Sequence, residues 1–275
     1  MRKKLVLALS GVAALFALTA CGGASAAPEA GAALDPANPV ELKIGASPVP
    51  QAQILEYVNE NLAKDAGIKL NIVEFDDYIL PNQQLAAGEL DANYFQHLPY
   101  LEDQIKTQGY EFSHGTGIHL EPYRAYSNKH KDLASIPDGA TVVITSDVSN
   151  QTRALQLLAD NGLLKDVPAD ASVVSLTDEQ NPKGLKFEET DPAIVVNQLK
   201  DPKADLAIIN GNFAIQAGLK PADALFSEKI EGNPYANLLV WNTKDDGNKA
   251  IAKLEELLHS QQVQDYIKKT WPELS

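Results

Sequence analysis

Apolar positions fall into short continuous runs separated by amphipathic stretches, and this alternation predicts strands and helices in turn. Leu42 to Ala46 (LKIGA) reads as a strand, ended by the prolines of Ser47-Pro48-Val49-Pro50, and Pro50 suits a first helical turn. Ile54, Val58 and Leu62 then repeat at i, i+4 and i+8, one apolar helical face over 51 to 64, with Gly67 as its stop. Leu70 to Phe75 predicts a second strand, Pro81 to Ala87 a helix stopped by Gly88, Leu90 to Phe95 a third strand and Pro99 to Gly109 a helix. The order β-α-β-α-β-α implies an α/β unit with a mostly parallel sheet covered on both faces.

Residues 110 to 127 read as extended, with aromatics spaced through a glycine-marked segment, as in a crossing between two lobes. A second cycle follows. Thr141 to Thr145 (TVVIT) is a buried strand, Asp147 to Asn150 offers several N-caps, and Ala154, Leu157 and Leu158 mark a helix closing near Gly162, with Arg153 expected in its first turn. Strands are predicted near Ser172 to Leu176, Leu185 to Glu189, Asp205 to Ile209 and Tyr235 to Trp241, with helices opening at Pro192 and Phe213. The tail from Asn248 to Lys269 reads as one amphipathic helix.

The N-terminus adds a compartment. Arg2, Lys3 and Lys4 precede an uncharged apolar run from 5 to 18, a secretory leader too short for a stable membrane span. The run ends in Leu18-Thr19-Ala20-Cys21, the pattern of a bacterial lipoprotein signal, so residues 1–20 are read as signal peptide and Cys21, the single cysteine, as the lipidated mature N-terminus. Residues 21–39 are Ala, Gly and Pro with few bulky side chains and are read as a flexible tether. The expected location is the cell membrane, lipid-anchored on the extracytoplasmic side. A formal net charge of -14, more acidic still without the leader, argues against a nucleic-acid partner.

The candidate chemistry centres on Gly88 to Tyr100 (GELDANYFQHLPY). Tyr78, Phe95, His97 and Tyr100 form an aromatic wall at the ends of predicted strands, where ligands of such sheets bind. Arg153 offers a planar fork for a carboxylate. Asn210, Asn212 and Asn237 offer amides that accept from an ammonium or donate to a carboxylate. Together these suit a free amino acid with an apolar side chain, and a thioether would sit well against the rings. Composition does not separate methionine from leucine.

SPVPQAQILE (47–56), EFDDYILPNQQLAAGELDANYFQHLPYL (74–101), Asn150-Gln151-Thr152-Arg153-Ala154-Leu155, INGNFAIQAGL (209–219) and NPYAN (233–237) occur in this order. The chain thereby resembles the methionine-binding lipoproteins of bacterial ABC importers, the NlpA/MetQ family, over essentially all of residues 40 to 270. The resemblance implies a two-lobed periplasmic-binding-protein (type II-like) fold, with residues 40–124 plus 233–275 as lobe 1 and 125–232 as lobe 2, and the ligand in the interlobe cleft. It implies capture of L-methionine, with D-methionine, a methionine-containing dipeptide or another small apolar amino acid as alternatives, and delivery by a monomer to an ABC permease and its ATPase. By the same resemblance Arg153 holds the ligand carboxylate, Asn210 and Asn237 bind the amino-acid backbone, Tyr78, Phe95, His97 and Tyr100 form the side-chain pocket, and Asn150 assists. Where the family carries Asn-Glu-Gly-Arg this chain has Asn150-Gln151-Thr152-Arg153, and for Gly-Asn-Tyr it has Gly211-Asn212-Phe213.

Three rival classes compete with this reading. A metal receptor would draw on His97, His114, His119 and Glu121, whose spacing is no recognised metal pattern. An enzyme would need more than the adjacent Asp76 and Asp77, since no nucleophile elbow, zinc-protease motif or phosphate loop is present. A surface adhesin predicts no tight small ligand. No cofactor, metal or catalytic activity is expected.

Overall fold

The computed structural model describes residues 33–274, so the leader, Cys21 and most of the expected tether lie outside the described residues. Strand β1 (Val40–Ala46) leads into helix α1 (Gln53–Val58), which is flanked by irregular helical turns at Pro48–Ala52 and Asn59–Ala63. β2 (Ile68–Glu74), α2 (Leu80–Ala86), β3 (Ala92–His97) and α3 (Leu98–Gln108) follow, then the short strands β4 (Phe112–His114), β5 (His119–Leu120) and β6 (Arg124–Tyr126). The second cycle comprises β7 (Thr141–Thr145), α4 (Val148–Asp160), β8 (Lys186–Thr190), α5 (Pro192–Gln198), β9 (Leu206–Ile209), α6 (Gly211–Gln216) and β10 (Phe226–Ser227). β11 (Ala236–Asn242), α7 (Lys249–Leu258) and α8 (Gln261–Thr270) complete the chain.

These strands form two sheets, one per lobe. The first has the order β2-β1-β3-β11-β4, with β5 also paired to β11; β1 runs parallel to β2 and β3, and β11 is antiparallel to its neighbours. The second has the order β10-β6-β9-β7-β8, parallel around β7 and antiparallel towards β10. Two segments, 121–123 and 228–235, therefore pass from one sheet to the other. Period-two alternation sends successive strand residues to opposite faces. Ile44, Tyr94 and Leu239 join Ile54, Leu254 and Trp271 in one core, whereas Leu238 and Val240 join Phe75, Leu85 and Leu101 in another. In the second sheet Val142 and Ile144 pack with Leu155 and Leu158, while Val143 faces Val195 and Phe213 on the other side.

Three local expectations change. Ser172 to Leu176 is not a strand but a tight 3-10 turn over Val173–Ser175, because the Ser175 hydroxyl accepts from the Ser172 N–H and donates to the Ser172 carbonyl, leaving Val174 88% exposed. The C-terminal helix is two helices, broken at His259 and Ser260, where extended Ser260 caps α8 by accepting from the Val263 N–H. Arg153 stands in the second turn of α4, since the helix begins at Val148, capped by the Asp147 side chain on the Asn150 N–H. It therefore meets the helix dipole less directly than a first-turn position would.

Candidate ligand site between the two sheets

A cavity lies between the lobes. Tyr78, Phe95, His97, Tyr100, Asn150, Arg153, Asn210 and Asn237, all singled out from sequence, line it together with Gln96, Glu121, Tyr123, Gly211 and Asn212. The aromatic wall is built where β3 ends. The pairing of β11 with β3 slips between Leu238 and Leu239, which face Gln96 and Tyr94, so Phe95 is an extra residue on β3. Such a bulge turns a side chain away from the regular alternation. Phe95 lies 5.9 Å from the Tyr78 ring and 6.0 Å from Tyr100, tilted and edge-on, with Tyr78 and Tyr100 also edge to face at 6.0 Å. The Tyr100 hydroxyl donates to the Tyr78 carbonyl at 2.9 Å and so fixes the loop that carries Tyr78.

His97 caps α3, its Nδ1 accepting from the Tyr100 N–H at 3.1 Å. Its proton therefore sits on Nε2, which donates to Asn150 Oδ1 at 3.0 Å across the cleft. Burial, reinforced by the nearby Arg153 charge, pushes the His97 pKa down to about 3, so the ring is neutral at ordinary pH. A second bridge between the lobes runs from the Tyr78 hydroxyl to Asn212 Oδ1 at 2.6 Å, and a third from Gln216 to Asp76 at 3.0 Å. The lobes are thus shut upon the cavity.

Arg153 is buried and held from several sides. Its Nε and Nη2 donate to the two Glu228 oxygens at 2.8 and 2.6 Å, and Nη2 also donates to the Glu121 carbonyl at 2.7 Å. The guanidinium carbon lies 4.2 Å from the Tyr123 ring centre and 4.3 Å from that of Tyr235. Burial opposes its charge, but Glu228 outweighs this and the Arg153 pKa rises above the ordinary arginine value. The fork expected to meet a ligand carboxylate is thus already occupied by Glu228. What the arginine leaves for a ligand is its other nitrogen, Nη1.

The lining of the cavity is also rich in acceptors. Asn210 occupies the N-cap position of α6 yet makes no side-chain cap, and its buried Oδ1 has no hydrogen-bond partner. Glu121, 5% exposed, accepts at Oε1 from Gln51 at 2.6 Å and from His119 Nε2 at 2.9 Å, and Gln51 also donates to Asn237 Oδ1 at 3.2 Å. β11 pairs Asn237 with His97 on one side and His119 on the other, placing it at the centre of the site. Gly211 lets α6 approach Glu121, since a Cβ there would stand 2.6 Å from Glu121 Cβ. A buried carboxylate with an unpaired amide oxygen suits an ammonium.

A family model, the NlpA lipoprotein, matches residues 42–274. The chain belongs to the NlpA lipoprotein family. The methionine-binding lipoprotein MetQ of Bacillus subtilis is 37% identical over 235 residues, covering 84% of this chain and 85% of that protein. A crystal structure of a lipoprotein from Actinomyces odontolyticus is 49% identical with a TM-score of 0.80, over 85% of this chain and 96% of that one. A nutrient-binding protein from Burkholderia cenocepacia, solved bound to methionine, is 35% identical with a TM-score of 0.76, over 84% of this chain and 97% of its own. The two-lobed substrate-binding fold expected from the resemblance is therefore that of the family.

Two family differences noted in the sequence lie away from the cavity. Gln151 donates to the Thr145 carbonyl at 3.2 Å and to Glu189 at 2.7 Å, and Thr152 donates to the Ala171 carbonyl at 2.8 Å, so both are tied into lobe 2. Phe213 backs Tyr78 at 5.3 Å between ring centres. Sequence reasoning missed Glu228 altogether and weighed Glu121 solely as a metal ligand. Of the rival metal set, His119 and Glu121 touch; His97 bonds Asn150 and the Tyr100 backbone, and exposed His114 bonds the neighbouring Gly115 carbonyl. Among the described residues no group of three His, Cys, Asp or Glu side chains is placed to hold a metal ion. Nor is any described helix long and apolar enough to cross a membrane.

Proposed function

We propose that this chain is the lipid-anchored extracytoplasmic receptor of an ABC importer and that the interlobe cavity binds one molecule of L-methionine. The observation that carries this reading is the polarity of the cavity. Its lining combines a guanidinium, a carboxylate with an unpaired amide oxygen, and a wall of three aromatic rings with a neutral histidine. A zwitterion with an apolar, polarisable side chain satisfies all three at once. In this assignment Arg153 Nη1 meets the ligand carboxylate, Asn210 and Glu121 receive the ammonium with Asn237 beside them, Tyr78, Phe95, His97 and Tyr100 contact the thioether, and Asn150 orients His97.

Lobe 1, here 40–124 with 233–275, and lobe 2, 125–232, each supply part of the contacts, so the ligand stabilises the closed arrangement by touching both. The chain then acts as a monomer that presents the closed state to a permease with its ATPase, and Cys21 carries the lipid. The test is a thermal-shift panel on the full chain in detergent with the protein amino acids, D-methionine, glycyl-methionine and divalent zinc and manganese. L-Methionine is expected to give the largest rise in melting temperature. A larger rise with a metal, D-methionine or the dipeptide would replace the assigned cargo.

A further inference from the structure

The ionised groups at the cavity are unequally matched. Arg153 and Glu121 line it, but the charge of Arg153 is already met by Glu228, which does not line the cavity and instead faces an outer groove with Lys229 and Tyr235. Glu228 is itself fixed. Besides both arginine bonds, its Oε2 accepts from the Tyr123 N–H at 2.9 Å and from Asn233 Nδ2 at 3.2 Å, so it is pinned to both segments that pass between the lobes. With 10% of its side chain exposed, it acts through little screening water.

An arginine without this partner would attract any carboxylate that fits. With it, a ligand carboxylate gains a hydrogen bond from Nη1 but meets no uncompensated positive charge. Glu121 and the unpartnered Asn210 oxygen, by contrast, reward a cation. We propose that Glu228 determines specificity by acting through Arg153: it cancels the guanidinium charge and so makes the site depend on the ligand's own ammonium. Amino acids are accepted, and their deaminated, anionic counterparts are refused. This rests on the reading that the cavity takes a free amino acid, and it adds which half of the zwitterion decides recognition.

The experiment titrates the full chain, wild type, Glu228→Gln and Glu228→Asp, with L-methionine, with 2-hydroxy-4-(methylthio)butanoate and with methioninamide. The hydroxy acid keeps the carboxylate and thioether but lacks the ammonium; the amide keeps the ammonium and lacks the carboxylate. In Glu228→Gln the preference for methionine over the hydroxy acid is expected to narrow by at least about tenfold, whereas Glu228→Asp retains it. A preference unchanged within about twofold in Glu228→Gln overturns the proposal, even if both ligands weaken together, because that is the effect of a merely structural residue. The wild type provides a test that needs no variant: it should bind methioninamide more tightly than the hydroxy acid, and the reverse order contradicts the proposal. A folded wild type that ignores L-methionine but takes another amino acid removes the cargo assignment, and the same three-way comparison on that amino acid's analogues decides the role of Glu228.

Discussion

Arg153 has more partners than a ligand anchor needs: a bidentate carboxylate, a backbone carbonyl and two aromatic faces. Removing it therefore has two separable effects. Arg153→Ala is expected to weaken methionine binding by at least about 2 kcal/mol, by leaving the ligand carboxylate without its donor. It is also expected to destabilise the fold by about 3 kcal/mol, because Glu228 is left nearly buried and unpaired. Denaturant titration of Arg153→Ala beside the Arg153→Ala/Glu228→Gln pair checks the second effect: the double variant should regain stability without regaining binding. His97 makes a pH prediction. Its folded pKa lies near 3, below the ordinary histidine value of 6.5, so between these two the unfolded chain binds a proton that the native chain does not. Its contribution to stability is complete above about pH 6.5 and falls by up to about 1.4 kcal/mol per unit as the pH drops towards 3. Denaturant unfolding at pH 7, 6 and 5 should show this slope, and His97→Gln should remove one proton's worth of it; an identical slope in the variant contradicts the assignment.

At the scale of the element, the site depends on two departures from regularity. The extra residue at Phe95 turns the end of β3 into part of the pocket, and the missing side chain at Gly211 lets the start of α6 press against Glu121. Gly211→Ala is expected to separate α6 from the crossing segment, because the nearest atom a methyl would meet is Glu121 Cβ at 2.6 Å, which the backbone fixes in place, with Glu121 Oε2 next at 3.1 Å. Titration should show methionine affinity lowered by at least about tenfold, with melting temperature in the absence of ligand much less affected. The longer strands and most helices were legible because alternating apolar runs, prolines and glycine stops are local signals, whereas the eight candidate residues were named from side-chain chemistry and family resemblance. Other features were not legible. The Ser172 to Ser175 turn was masked by its valines, and the break at Ser260 by an uninterrupted apolar stripe on either side. Glu228, a lone acid in a polar loop, becomes a partner of Arg153 only through a contact 75 residues away in sequence, and no local pattern announces that. Glu121 is similar in kind, since its role depends on α6 arriving beside it.

Across the whole molecule, the cavity is walled by both sheets and bridged by His97 to Asn150, Tyr78 to Asn212 and Asp76 to Gln216. A ligand that contacts both walls adds its binding energy to the closed state and to folding alike. At one hundred times its dissociation constant it should stabilise the chain by about 2.7 kcal/mol, which denaturant unfolding with and without methionine would register. The family resemblance read from the ordered motifs is now placed on a fold with the same two-lobed architecture as its relatives. The most direct test of the central claim is calorimetric titration of the full chain, unfolded to strip any bound small molecule, refolded in detergent and titrated with L-methionine and, separately, with leucine. The account predicts saturable binding of one methionine per chain and affinity for leucine weaker by at least about tenfold. Absence of heat with methionine from a chain shown to be folded, or equal affinity for leucine, would contradict it.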